Sequence, residues 1–486
     1  MVSLYTNRPG YAADIAEIIR AYLGMEEIAQ ADCWLEENAY AVEALLNDNG
    51  EVTVRGKKYG MPAVSYTWVV DTNADNAIIR KRKEKRAFKI AAFRVMRQLE
   101  PDIVLPWGSL TGIRPTKLLR ELIEEMGERE ALRVFTKDFD VQPQKAALTA
   151  SILSAQKHML RDISPLDADV YIGIPFCKTR CLYCSFASEL IGKGGVPEEY
   201  LNALYRDIEL GADIARRGDY RIRSMYVGGG TPTVLSAEQL KRLLAHAINC
   251  YSGYGTELTV EAGRPDTVDA EKLRALKEMG VNRISLNPQT MQAQTLKRIG
   301  RAHTPEEIVQ AYEIARQIGF DINMDVIAGL PGETEEDMQN TLQEIAALKP
   351  DNLTVHTLAV KRSSLLKRQL EEYPLPSSDV AERMVEQGAQ CAAALSMHPY
   401  YMYRQKYMRG NLENVGYATQ GKDCVYNVDM MEEAASIFAH GAGAMSKRVF
   451  QGKDQRVERI PAPKDIPSYI GKLSVLHAQK EKLFLE

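Results

Sequence analysis

The sequence predicts an α/β fold: a partial, open parallel β/α barrel of about six units, preceded by an N-terminal α+β domain and followed by a C-terminal mixed extension. Two observations carry this expectation. From about residue 165 to 360, short apolar strand-like runs alternate with helix-length amphipathic segments. The glycine, cysteine and acidic motifs all fall in the segments that leave those strands. Serial βα units demand a parallel sheet with right-handed crossovers, and six of them fit an open barrel as readily as a doubly wound sheet. Barrels place their chemistry at the strand C-termini, so the motif positions favour the barrel.

Residues 1–155 read as an accessory domain, with a strand pair EVTVRGKKYG and AVSYTWVVDT, a helix AFKIAAFRVMRQLE and then PWGSLTGIRPTK. The basic run IIRKRKEKR at 78–86 is expected to be solvated helix or loop surface rather than a nucleic-acid patch. The barrel spans 156–377, with strands DVYIGIPF, SMYVGGG, ELTVEA, RISLN, INMDVIAG and NLTVHTL. Between them lie helical patterns such as EEYLNALYRDIELGADIARR and TPEEIVQAYEIARQIG, several with a capping residue in front and Gly or Pro behind. Residues 378–486 open with a helix, continue into the tyrosine-rich strand-like stretch YYMYRQKYM, and are expected to cover the substrate.

A chain of 486 residues exceeds one hydrophobic core, so more than one domain is expected. Charged residues make up 26 % and the net charge is −4, which points neither to a nucleic-acid scaffold nor to an acidic disordered tail. No apolar run reaches the length of a membrane span, and the N-terminus lacks the pattern of a signal peptide, so the expected location is the cytoplasm. The seven cysteines are an odd count, and Cys33, Cys250, Cys391 and Cys424 stand singly, as expected of small packed apolar residues rather than of a disulfide framework.

Cys177, Cys181 and Cys184 are different. Three thiolates at C-x3-C-x2-C spacing can converge on one side of a loop and ligate soft metal centres. A structural zinc normally takes a fourth protein ligand, and no His or fourth Cys follows at a helpful distance. An iron–sulfur cluster held by three cysteines leaves one iron open to a small molecule.

This motif, with Tyr183 just before the last cysteine, resembles the signature of the radical S-adenosylmethionine (SAM) enzymes. The resemblance implies a four-iron four-sulfur (4Fe-4S) cluster on the three cysteines, with SAM on the open iron as second cofactor. It also implies cofactor contacts at Tyr171, Tyr183, Gly229, Gly230, Thr231, Glu261, Gln289, Arg301, Asp325 and Ala359, with Tyr171 in the catalytic site as well. The glycines of YVGGGTPT would let backbone groups approach the ligand closely.

Within that superfamily the runs Y-x-x-I-P-F-C, GGGTP, NRISL-x-x-Q, LKRIGRAH and GLPGET are similar to those of the anaerobic coproporphyrinogen III dehydrogenases. PWGSLTGIRPTKL, HTLAVKRSS and IFAHGAGAMSK extend the resemblance to the HemZ-type branch. It implies oxidative decarboxylation of two propionates of coproporphyrinogen III to vinyl groups without dioxygen. The partners implied are a tetrapyrrole substrate and reduced ferredoxin or flavodoxin as electron donor. Lys361 and Arg362 are candidates to meet the remaining carboxylates. The best-known branch carries His where this chain has Gly173, and a further Cys where it has Phe186. The Phe186 form also occurs in haem-chaperone relatives, and the scaffold serves haem-degrading methyl transfer too, so these two functions stand as alternatives.

Overall fold

The computed structural model describes residues 2–486 apart from 25–26, 36, 71–76, 113, 187, 193, 252–254, 256, 406–408 and 452–455. Asp71 and Thr72 of the second expected strand, Ile113 of the PWGSLTGIRPTK run and residues 406–408 of the tyrosine-rich stretch lie outside the described residues. Two compact units emerge, one of residues up to 150 with 410–412, the other of 151–409 and 413–486.

In the first unit, strands β1 (Val2–Thr6), β2 (Ile28–Gln30), β3 (Tyr40–Leu46), β4 (Glu51–Lys58) and β5 (Val64–Val69) form a sheet in the order β2-β1-β3-β4-β5. Helices Ala12–Leu23 and Ala77–Leu99 bury Ile15, Ile18, Phe88 and Val95 against Leu4, Val42, Val52 and Val54. The basic run is the first half of the second helix: residues 79–82 are exposed, and Lys85 Nζ pairs with Asp14 Oδ1 at 2.7 Å. Trp107, in the PWGSLTGIRPTK run, is fully buried.

The second unit is built on strands β6 (Asp167–Ile174), β9 (Arg221–Gly229), β10 (Glu257–Glu261), β11 (Arg283–Ser285), β12 (Asp321–Ala328) and β13 (Asn352–Thr357), each parallel to the next. Two two-residue strands, β7 (Phe176–Cys177) and β8 (Glu189–Leu190), pair beside the end of β6. The expected helices follow their strands. Those at Ala237–Cys250, Pro305–Ile318 and Glu335–Leu348 start on full capping boxes from Ser236, Thr304 and Thr334, and Gly319 ends the second in the left-handed conformation. This is the expected open parallel barrel section.

The sheet is larger than the six strands the rhythm announces. Strands β14 (His398–Tyr403) and β15 (Asn414–Ala418) add antiparallel beyond β13. On the other flank β16 (Ser436–His440) runs parallel to β6 and leads into the antiparallel pair β17 (Met445–Phe450) and β18 (Arg456–Pro461), making eleven strands among the described residues.

Strand alternation sorts the side chains into two faces. Val170, Ile172, Val227, Val260, Ile284, Ile322 and Val326 are fully buried on one face. The other, inner face carries Asp169, Tyr171 and Gly173 on β6, Ser224, Tyr226 and Gly228 on β9, Glu257 and Glu261 on β10, and Asp325 on β12. Helix Val425–Glu432 closes the N-terminal end of this face, where Glu257 accepts the backbone N–H groups of Val425 and Tyr426 and the Cys424 thiol. Cys424 is thus a packed, hydrogen-bonded residue, as its solitary position suggests.

At the other end, the turn after β16 sits against Gly173, and one buried carboxylate anchors it. Asp207 accepts from Gly441 N at 3.1 Å, Tyr469 Oη at 2.9 Å and Lys480 Nζ at 2.6 Å, and lies 3.3 Å from His440 Nδ1. Burial alone would raise its pKa, but the Lys480 ammonium and His440 hold it well below the usual carboxylate range. Lys480 is 1 % exposed. Lys480→Met therefore strands a buried charge and is expected to cost about 3–5 kcal/mol in urea unfolding, with part of the loss recovered in the Asp207→Asn/Lys480→Met double variant. A single-variant loss under about 1 kcal/mol would refute the anchor.

Candidate active site

The cysteine loop has little regular structure of its own and is held by its neighbours. Leu182 N donates to Ile299 O and Leu366 N donates to Leu182 O, both at 2.9 Å. Thr179 Oγ1 reaches Gly300 O at 2.8 Å, and Arg264 Nη1 reaches Thr179 O at 3.0 Å. Leu182 and Tyr183 pack with Ile299, Ile327, Leu330, Leu358 and Leu366, an apolar footing at the strand C-termini. Cys177, Cys181 and Cys184 are all free and half-buried. The Cys184 thiol is pushed up by burial and by the two neighbouring sulfurs, which places all three in one electrostatic neighbourhood. Thr231 Oγ1 donates to Cys177 Sγ at 3.6 Å.

Among the described residues no three His, Cys, Asp or Glu side chains converge tightly enough to hold a single metal ion. Three half-buried thiols spread around one loop suit a multinuclear cluster, in which each sulfur binds a different iron.

The glycine run has a reason within the chain itself. A Cβ on Gly230 would lie 2.5 Å from Phe176 O, and Gly229 has φ +112°, so the end of β9 is packed against the backbone that leads into Cys177. On the inner face, a Cβ on Gly228 would lie 2.8 Å from the Glu261 carboxyl carbon. The close approach expected to serve a ligand serves chain packing first.

Glu261 ends β10 and accepts the Tyr226 hydroxyl at 2.8 Å and the Gly229 N–H. Burial, with the charge of Asp325 across the mouth, pushes its carboxyl up to about 7. Asp325 accepts from Asn323 Nδ2 at 2.8 Å and lies 3.5 Å from His356 Nε2. Burial raises its pKa, but His356 and Asn323 outweigh that and hold it below its ordinary value.

Gln289 follows β11, with its N–H on Asp325 O at 2.9 Å and its carbonyl accepting Ile327 N at 3.0 Å. Its φ of +67° is a left-handed conformation that a non-glycine residue adopts at a cost. Arg301 reaches the carbonyls of Asn287 and Gly263 as well as Tyr183 and Cys181. Tyr171 stacks with Tyr226 and Tyr426 at centroid distances of 6.3 and 6.2 Å, and these two stack on each other at 4.4 Å. Ala359 lies half-buried just after β13.

The structure thus brings the cysteines, Tyr183, Thr231, Glu261, Gln289, Arg301 and Asp325 to one end of the sheet, with Tyr171 one step below. Lys361 is half-buried, its ammonium pushed down by burial, whereas Arg362 is exposed. Tyr226, Tyr426 and His356 were not among the expected site residues. The alternation in NLTVHT places His356 on the same face as Thr354, a signal the sequence carries.

The polar groups fit a zwitterionic, nucleoside-bearing cofactor. Gln289 Oε1, Arg301 Nε and Asn287 Oδ1 are buried without a hydrogen-bond partner, an acceptor, a donor and an acceptor in adjoining loops.

In the folded, cofactor-free protein Glu261 keeps its proton to about pH 7, whereas an unfolded glutamate releases it near 4.5. Between those values the folded state binds more protons, so this group's contribution to stability falls as pH rises through the window. Glu261→Gln keeps the neutral form. The cofactor-free variant is expected to gain about 2–3 kcal/mol over wild type on going from pH 5 to pH 8, read from urea unfolding. A pH-independent difference would contradict the burial of this carboxyl.

The radical SAM superfamily model matches residues 171–345. The oxygen-independent coproporphyrinogen-III oxidase-like protein HemZ of Bacillus subtilis (strain 168) is 38 % identical over 400 residues, covering 79 % of this chain and 79 % of that protein. The haem chaperone HemW of the same organism is 34 % identical over 279 residues, covering 56 % of this chain and 69 % of that one. Among solved structures, coproporphyrinogen III oxidase (HemN) from Escherichia coli, a radical SAM enzyme, shares the fold with a TM-score of 0.51 at 20 % identity, over 68 % of this chain and 73 % of that one. With the cysteine loop at the strand C-termini and a relative this similar over most of its length, the chain belongs to the radical SAM superfamily, in the group it shares with HemZ-like proteins.

Proposed function

We propose that this protein is an oxygen-independent coproporphyrinogen III dehydrogenase, converting two propionate side chains to vinyl groups in haem biosynthesis in the cytoplasm. The observation that supports this best is the placement of the free cysteine triplet beside the buried, partnerless Gln289 Oε1 and Arg301 Nε, in a chain so similar to a HemZ-like protein.

Cys177, Cys181 and Cys184 would hold three irons of a 4Fe-4S cluster. Gln289, Arg301 and Asn287 would meet the polar groups of SAM, with Glu261 and Asp325 beside them. Bound together, cluster and SAM supply a carbon radical able to remove hydrogen from an unactivated C–H bond, which side-chain acids and bases cannot do. Loss of that hydrogen, of carbon dioxide and of one electron to an acceptor turns each propionate into a vinyl group.

The chain's own share is to bind, orient and exclude water. The Tyr171–Tyr226–Tyr426 stack would give the mouth a dry floor, and Lys361 would meet a carboxylate. The region from 378 onward would cover the substrate, and reduced ferredoxin or flavodoxin would deliver the priming electron.

The similarity to HemW favours haem binding as a second reading, with Phe186, 70 % exposed, in the shared motif. Anaerobic reconstitution with SAM, a reductant and coproporphyrinogen III separates them. Deoxyadenosine together with loss of two carboxylates in the product mass is expected. Haem transfer to an apoprotein without SAM turnover would favour the chaperone instead.

Alanine at Cys177, Cys181 or Cys184 is expected to abolish the visible absorption of the reconstituted cluster, whereas Cys424→Ala keeps it. Bleaching in Cys424→Ala would mean a fourth ligand and remove the open iron.

A further inference from the structure

His356 ends the inner-face series Asn352, Thr354, His356 on β13, diagonal to Asp325 on the neighbouring strand. Both of its ring nitrogens are engaged. Nε2 lies 3.5 Å from Asp325 Oδ2, and Nδ1 lies 3.3 Å from the hydroxyl of Tyr403 on β14. Where Nδ1 accepts the phenol O–H, the ring hydrogen is on Nε2, facing the carboxylate within ion-pair range.

The phenol is itself held. Tyr403 lies edge-on to the imidazole at 6.3 Å and is stacked on Tyr401 at 6.5 Å with 7° between the rings. Tyr401 lies flat across β15 because position 416 is glycine, where a Cβ would come 1.8 Å from its ring. Asn323 Nδ2 holds the other oxygen of Asp325 at 2.8 Å. The carboxylate is thus held by Asn323 at one oxygen and faced by His356 at the other, with the Thr354 hydroxyl beside it.

We propose that His356 and Tyr403 are positioning residues for Asp325, holding its carboxylate ionised and in one orientation as an acceptor for the donor groups of the nucleoside-bearing cofactor at the barrel mouth. The inference rests on the SAM reading above. Two buried carboxylates, Glu261 and Asp325, face this end of the sheet, and like charges so placed compete for a proton. A protonated Asp325 would present a donor where an acceptor is needed. The His356 N–H assigns the charge to Asp325 and leaves the proton to Glu261, so the acceptor is set before the ligand arrives.

The test is SAM affinity of the anaerobically reconstituted, cluster-loaded protein, by equilibrium dialysis without tetrapyrrole, alongside the change in the electron paramagnetic resonance signal of the reduced cluster on adding SAM. His356→Leu is expected to weaken SAM binding about tenfold and Tyr403→Phe about threefold, the scale of a lost charge-assisted and a lost neutral hydrogen bond. His356→Gln offers an amide N–H and a carbonyl in one side chain and is expected to restore affinity to within about threefold of wild type. A leucine variant with intact cluster absorption and unchanged affinity overturns the proposal. Should that variant fail to hold the cluster, Tyr403→Phe decides, and unchanged affinity there overturns it equally. Wild-type protein that binds no SAM overturns the cofactor reading and this inference with it. Absence of tetrapyrrole turnover, with the affinity losses observed, removes the substrate assignment alone.

Discussion

The site depends on the register of β6 against β9. Tyr171 sits opposite Tyr226 and Gly173 opposite Gly228, after an irregularity between Ala168 and Asp169 that resets the pairing. Side chains alternate with a period of two, so a slip of one residue would turn Tyr171 toward the helices and Val170 and Ile172 toward the mouth. The hydrophobic contrast between the faces makes that slip costly. It also fixes where β6 ends, and hence where the cysteine loop begins and which backbone Gly230 must approach.

Much of the second unit was legible because its information is local. Apolar runs, capping boxes and terminal glycines name each βα unit within a few residues, and their serial order names the parallel sheet. What stayed hidden is non-local. Nothing in SIFAH says that β16 pairs with β6, more than 260 residues earlier, and β14 and β15 become sheet members only through β13. The same holds for the site. Cys177, Cys181 and Cys184 are visible as a spacing, but Tyr426 enters from a helix at the opposite end of the chain's second unit. The glycines of YVGGGTPT announce close approach, but only the fold shows that at Gly230 the chain's own backbone, Phe176, is what comes close.

The inner face is polar for a parallel sheet, whose strands usually read as continuous apolar runs. Asp169, Glu257, Arg283, Asp325 and His356 all point to the same side, and burying ionisable groups there carries a desolvation penalty. Part of that penalty is met from outside the six barrel strands: Glu257 accepts from the backbone of the closing helix, and Tyr403 on β14 stands behind the His356 that faces Asp325 within the barrel. Asp207 shows the same device on the helical side. The C-terminal segments are therefore part of the barrel's electrostatic balance, adding to the partners that Arg283, Asn323 and His356 supply from the strands themselves.

An open sheet has two borders, and β18 is one of them. Its sequence, RVERIP, carries Arg456, Glu458 and Arg459, with Pro461 at the end. A row of unpaired backbone groups on a long border strand invites a second molecule to continue the sheet. Charged side chains and a proline discourage that addition. Along β18 the addition of a further strand is therefore disfavoured by its own side chains, a property of the sheet's margin rather than of its chemistry.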